Sequence, residues 1–139
     1  MIILKRIDFE KIHKYALAEL PNEACGLIAG TESDGVKRVE KVYLLTNIDK
    51  SEEHFSLDPK EQLAAVKDMR QNGFVPLGNW HSHPSSPSRP SDEDKRLAYD
   101  SKASYMIMSL IDRENPVLNS FRIADNFSEK EELVISDEV

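Results

Sequence analysis

Residues Gly78 to Asp94 read Gly-Asn-Trp-His-Ser-His-Pro-Ser-Ser-Pro-Ser-Arg-Pro-Ser-Asp-Glu-Asp, and the fold must be one that brings the two ends of this stretch together. His81 and His83 stand one residue apart at the end of an extended run, Phe74 to His83, that Pro84 stops. Side-chain direction on a strand repeats every second residue, so both imidazoles face the same side and can share one ion. After a Ser/Pro-rich loop, Ser91 and Asp94 stand at capping spacing, and Asp92, Glu93 and Asp94 suit the positive end of a helix reaching about Lys102. If the loop folds back, Asp94 becomes an oxygen ligand beside the histidines. Two imidazoles and a carboxylate leave a fourth position for water, the arrangement of a catalytic rather than a structural zinc site. Residues 84–90 have the composition of a linker, but strand-forming sequence before them and helix-forming sequence after them make an active-site loop that borders a groove.

Upstream, Ile2 to Leu4 forms a short strand, and Asp8 caps a helix carrying Phe9, Ile12, Ala16 and Leu20 that ends at Pro21. Glu23 then stands at the mouth of an uncharged run, Ala24 to Gly30, which reads as a buried central strand. Val36 to Leu45 pairs back across the Thr31–Gly35 turn, and Phe55 to Leu57 reads as a further short strand. Asp58, Pro59 and Glu61 open a helix that runs to Asn72, with Leu63, Val66 and Met69 or Arg70 along one side and Gly73 at its end. Downstream, Ser104 to Ile111 is a buried strand, Val117 to Ile123 completes a hairpin, and Glu131 to Ser136 adds an edge strand. An acidic tail runs from about residue 128. Strands and helices therefore mix in one α/β domain spanning residues 1–139, with the candidate site at strand ends. His13 and His54 read as surface or rim residues, and Cys25 as a small core residue rather than a nucleophile.

The composition narrows the partners. A chain of 139 residues with 40% hydrophobic and 31% charged residues is sized for one soluble domain. Its net charge of −7 offers no basic footprint for nucleic acid or an anionic membrane. The N-terminal residues lack the apolar run of a signal peptide, and no stretch approaches the ~18 apolar residues of a membrane span. With a single cysteine it can form neither an internal disulfide nor a Cys-rich zinc site, which fits a reducing, cytoplasmic setting.

Zinc on His81, His83 and Asp94 would lower the pKa of a water toward ~7. A carboxylate must then move the proton, and Ser91 can accept a hydrogen bond as a cap while donating its own proton to a developing oxyanion. Spacing alone does not choose the carboxylate among Glu23, Glu32, Glu52 and Glu53. Glu23 before Cys-Gly-Leu-Ile-Ala-Gly, the His81-Ser82-His83-Pro84 run, and Ser91 with Asp94 together resemble the JAMM (MPN+) metalloprotease motif E-x(n)-H-[ST]-H-x7-S-x2-D, with every fixed position filled. The resemblance covers at least Glu23 to Asp94. It implies an MPN/JAB fold, a cytidine-deaminase-like mixed β-sheet flanked by helices, with zinc on His81, His83 and Asp94, Glu23 as general base and Ser91 stabilising the tetrahedral intermediate. It further implies cleavage of a peptide or isopeptide bond after the glycine tail of a ubiquitin-like or sulfur-carrier protein, and the small chain resembles the prokaryotic type. Two alternatives stand beside it. One is a noncatalytic scaffold of the same fold, against which the intact residue set argues. The other is a zinc nucleoside deaminase, whose H-x-E and P-C-x-x-C signature is missing here.

Overall fold

The computed structural model describes residues 1–138. Among them, eight strands form one mixed sheet in the order β7-β6-β5-β4-β2-β3-β1-β8. The elements run β1 (Ile2–Lys5), α1 (Arg6–Ala18), β2 (Cys25–Ser33), β3 (Val36–Leu45), α2 (Pro59–Gln71), β4 (Val75–His83), α3 (Asp92–Arg96), β5 (Ser104–Ser109), β6 (Val117–Ala124), β7 (Phe127–Glu131) and β8 (Leu133–Ser136). β7 and β8 lie at opposite ends of this order, yet only Glu132 separates them in sequence. The sheet must therefore curl until its ends approach, and the Ile2 N–H donates to the Glu132 carbonyl at 2.9 Å.

The two faces carry different cores. On one, Ile12 and Ala16 of α1 pack with Ile2, Leu4, Ile28, Val39, Trp80, Met106 and Met108. On the other, Ala65 and Met69 of α2 pack with Ala29, Tyr43 and Leu45. Which face β4 gives to which core is set by an irregularity: Ile28 pairs with Gly78 but Ala29 pairs with Pro76, so Leu77 is bulged out of register. Leu77 consequently joins the same core as Trp80, three residues on. A Cβ on Gly78 would lie 1.8 Å from the Ser104 carbonyl oxygen, so only glycine lets β5 approach here. From Asn79 onward the strand alternates regularly, which sends Trp80 into the α1 core and the odd-numbered residues to the other face.

Several expected details differ. Helix α1 begins at Arg6 with Lys5 as a cap lacking a side-chain bond, and Asp8 lies inside its first turn on the buried face. β1 runs directly into that helix, so no loop is left for Asp8 to cap. Along α2, Ala65 and Met69 face the core while Leu63 is exposed, because the sheet meets a stripe two residues out of phase with Leu63. Phe55 to Leu57 forms no strand; its ladder contact is a single bridge from Leu57 to Asn47. α3 stops at Arg96 with Leu97 as its C-cap. The supposed acidic tail is mostly structured: β7 extends the hairpin begun by β6, and β8 is the edge strand, parallel to β1. Val139 lies outside the described residues. Among the described residues no helix is long and apolar enough to cross a membrane.

Candidate metal centre

The regular end of β4 places His81 and His83 on one face, both buried, with His81 beside Ile107 of β5 in register. Their Nε2 atoms stand 3.2 Å apart. Asp94 Oδ2 lies 3.2 Å from the first and 3.1 Å from the second. Asp94 reaches them because Ser91 starts α3: the Asp94 N–H donates to Ser91 Oγ at 3.0 Å, and the Ser91 N–H donates to Asp94 Oδ2 at 2.9 Å. This reciprocal capping box fixes the carboxylate while leaving its oxygen aimed at the imidazoles.

The donor set fits a small divalent cation. His83 Nδ1 lies 2.9 Å from the Pro87 carbonyl, an acceptor, so Nδ1 carries a proton and donates it. In the neutral ring His83 Nε2 then offers a lone pair, and it faces a carboxylate oxygen. Two acceptors this close repel unless positive charge sits between them. Four donors around a tetrahedral zinc at ~2.0–2.1 Å stand roughly 3.3 Å apart, close to the spacing of the three atoms here. Electrostatics agree. Burial alone would lower the His83 pKa, but its hydrogen bonds to Asp94 and Pro87 outweigh this and raise it. At His81 burial dominates and the pKa is lowered. Burial pushes the Asp94 carboxyl up, yet His81, His83 and the Ser91 N–H hold it well below the usual carboxylate range. The trio draws in positive charge.

Glu23 is brought to the same place by the neighbouring strand. Cys25 pairs with His81 across β2 and β4. The Ala24 N–H donates to Ser82 Oγ at 2.8 Å, and the Ser82 N–H donates to the Ala24 carbonyl at 3.0 Å. On its other side the Glu23 N–H donates to the Ser51 carbonyl at 2.8 Å, and Asn47 Nδ2 donates to the Glu23 carbonyl at 3.0 Å. The side chain is 3% exposed, and its Oε1 has no hydrogen-bond partner among the described residues. Burial pushes its pKa up to about 8; His83 opposes that, while Asp94, Glu93 and Glu53 reinforce it. Glu32, Glu52 and Glu53, which spacing left open as alternatives, are all exposed.

A cavity of about 380 Å³ adjoins the trio. Its floor is Asn79, His81, Tyr105, Ile107 and Ile123, its walls the 54–57 segment on one side and Glu93, Leu97 and Tyr99 on the other. The Ser/Pro loop, expected to border the groove, does not line this cavity. It is tied to the sheet instead: Ser88 Oγ donates to the Ile107 carbonyl at 2.6 Å, and Ser109 Oγ donates to the Ser86 carbonyl at 2.7 Å. Its polar groups thus serve to hold the Pro87 carbonyl against His83. His54 is a rim residue, 3.0 Å from Asp49. His13 contacts the Arg113 carbonyl. Cys25 is buried, and burial pushes its thiol up to about 12, which makes it a poor nucleophile.

Four contributors escaped the sequence reading. Phe55 stacks on His81 with ring centroids 4.7 Å apart. Asn47 organises the 47–57 loop by donating to the His54 carbonyl and accepting from the Asp49 and Ser56 N–H groups. Ser82 joins β2 to β4, and Asn79 lines the cavity. Ser82 alone carried a signal, since a residue between two same-face histidines must point to the other side.

A family model for prokaryotic homologs of the JAB domain matches residues 6–124. The chain belongs to this family. It is 36% identical over 111 residues to the CysO-cysteine peptidase of Mycobacterium tuberculosis, covering 80% of this chain and 75% of that one. It is 35% identical over 90 residues to a probable TtuB-protein conjugate cleaving protease of Thermus thermophilus, covering 64% of this chain and 57% of that one. The solution structure of a Desulfitobacterium hafniense protein matches at 51% identity with a TM-score of 0.93, covering 100% of this chain and 95% of that one. The expected JAB-type mixed sheet is the fold this JAB chain has.

Proposed function

We propose that this chain is a zinc-dependent peptidase that hydrolyses the bond after the C-terminal glycine tail of a ubiquitin-like or sulfur-carrier protein. The observation that carries the reading is the convergence of two imidazoles and a carboxylate, with His83 and Asp94 held by second hydrogen bonds and His81 stacked on Phe55, beside a buried glutamate with an unpartnered oxygen. The relatives named for CysO-cysteine and for TtuB-protein conjugates support the substrate class. His81, His83 and Asp94 would hold the zinc. When bound, zinc supplies an acidified water and positive charge at the carbonyl oxygen.

The chain supplies the rest. Glu23, with a pKa near neutrality, takes a proton from the attacking water and passes it to the leaving nitrogen as the C–N bond breaks. The hydroxyl thus ends on the carbonyl carbon and the proton on the amine. Ser91 Oγ already accepts the Asp94 N–H, so its own proton is free for the oxygen that gains charge. The glycine tail suits the approach because it brings no side chain past the buried trio.

Intact-mass measurement on carrier proteins bearing C-terminal extensions tests this. The wild type should release the extension, and Glu23→Gln should keep its metal while losing ~10²–10⁴-fold in rate. Undiminished cleavage by that variant would rule out the assigned base.

A further inference from the structure

Asn119 is the polar exception on its face of β6. His81 pairs in register with Ile107, and Ile107 with Asn119, so the three side chains stand in one row on the same side of the sheet. On that side of β6, Phe121 and Ile123 are buried in an apolar cluster with Tyr105 and Ile107, and Val117 is exposed. The Asn119 carboxamide reaches the Ser/Pro loop instead: its Nδ2 donates to the Ser88 carbonyl at 3.3 Å and to Ser88 Oγ at 3.2 Å. Ser88 Oγ can accept because its own proton goes to the Ile107 carbonyl at 2.6 Å. Three bonds from two strands therefore converge on Ser88. Around it Ser85, Ser86, Pro87 and Arg89 are exposed, so burial does little to fix this part of the loop.

The residue before Ser88 is Pro87, whose carbonyl accepts from His83 Nδ1 at 2.9 Å and from the Arg89 N–H at 2.9 Å. The geometry points to Asn119 as a positioning residue of the metal centre, acting through Ser88 and the Pro87 carbonyl on the His83 imidazole. This rests on the reading of His81, His83 and Asp94 as zinc ligands. An imidazole that binds a metal must keep its ring turned so that one nitrogen's lone pair meets the ion, and a hydrogen bond at the other nitrogen sets that rotation. Here the bond at Nδ1 comes from a loop, and it is only as steady as the loop. Ser109 restrains the loop before Pro87, through the Ser86 carbonyl, and Asn119 restrains it after Pro87, through Ser88. A carboxamide suits the task, because Nδ2 carries two protons, one for each oxygen of Ser88. Asn119 touches neither the ion nor a ligand, and its effect is on how firmly the ring of His83 is held.

Zinc affinity and the His83 Nδ1–H resonance test this together in the full chain. Asn119→Asp keeps the shape but sets an oxygen that cannot donate against the Ser88 carbonyl, and Ser88→Ala removes the hydroxyl link. Asn119→Ala deletes the donor without adding charge and serves if the aspartate variant folds poorly. Each should weaken zinc binding about tenfold in competition with a chromogenic chelator. Charge alone would make Asn119→Asp hold a cation more tightly, so weakening in that variant reports position. In nitrogen-15 NMR of the zinc-loaded proteins, the slowly exchanging Nδ1–H resonance of wild type should be lost from all three variants. A merely structural contribution would lower the melting temperature of the metal-free protein and leave that resonance in place. The double variant Asn119→Ala/Ser88→Ala should bind zinc no more weakly than Ser88→Ala, since both changes act through one residue. Wild-type affinity in the Asn119 variants, an unchanged Nδ1–H resonance, or additive losses in the double variant would overturn the inference while the zinc reading survives. A wild type that takes up no zinc would overturn the zinc reading and this inference with it.

Discussion

Ser82→Ala isolates the tie between Glu23, the proposed base, and the histidines proposed to hold the metal. Ser82 is fully buried, and its Oγ accepts the N–H of Ala24, the residue after Glu23. Alanine fits the space but removes the Oγ acceptor and leaves that N–H without its partner, while the Ser82 N–H keeps its bond to the Ala24 carbonyl. An orphaned buried donor costs ~1–3 kcal/mol, and about 2 kcal/mol is a fair expectation where the rest of the ladder survives. Unfolding entropy near 2.1 cal/mol/K per residue gives roughly 0.3 kcal/mol/K for this chain, so the melting temperature should fall by about 7 °C. The functional effect should be larger than the stability effect. If Glu23 and the histidines are held in mutual register through this bond, a displacement near 1 Å costs ~10²-fold in kcat while zinc stays bound. Calorimetry, metal analysis and kinetics on one preparation separate the three quantities. A variant that melts within a degree of wild type and cleaves at full rate would refute the role of Ser82.

Gly26→Ala should not tolerate its methyl group: the Cβ would lie 1.8 Å from the Tyr43 carbonyl oxygen and 2.3 Å from Trp80 Nε1, which donates to that oxygen. A loss of at least about 3 kcal/mol is expected, with Trp80 fluorescence reporting the broken packing, and a wild-type melting curve would contradict it. Glu23 should make the metal-free protein less stable as pH rises. Its folded pKa of about 8 exceeds the usual 4.5, so between those values the folded state keeps a proton that the unfolded chain has released. Its contribution is therefore most favourable below the lower value and is lost as pH climbs through the upper one, with a ceiling of roughly 5 kcal/mol. Urea unfolding of chelator-treated wild type and Glu23→Gln should show the variant gaining on wild type from pH 5.5 to 8.5; parallel curves would exclude a buried, shifted Glu23.

The convergence of His81, His83 and Asp94 was legible because each part obeys a local rule. Period-two alternation placed His81 and His83 together, and capping spacing placed Ser91 and Asp94 at a helix start. The Ser/Pro loop was misread in its role, since the Ser88 hydroxyl donates to a β5 carbonyl and the Ser86 carbonyl accepts from the β5 hydroxyl of Ser109, contacts that no local pattern reveals. α3 ends early because Leu97 and Tyr99 leave the helix to line the cavity, a tertiary preference that overrides the continuing helical sequence. β7, Phe-Ser-Glu-Lys-Glu, reads as a polar tail and becomes a strand only through pairing with β6. The bulge that lets Leu77 and Trp80 share a core follows from the backbone approach at Gly78, whose partner Ser104 is distant in sequence. Phe55 had no signal at all, as it meets His81 only after the Asn47 hub has folded its loop.

The most direct test is the metal content of purified protein after dialysis with zinc, compared with Asp94→Ala and with His81→Ala. About one zinc per chain in the wild type, lost from both variants while their circular dichroism stays native, is the result predicted by a centre built from His81, His83 and Asp94. A wild type that binds no zinc, or variants that keep the full complement, would contradict it.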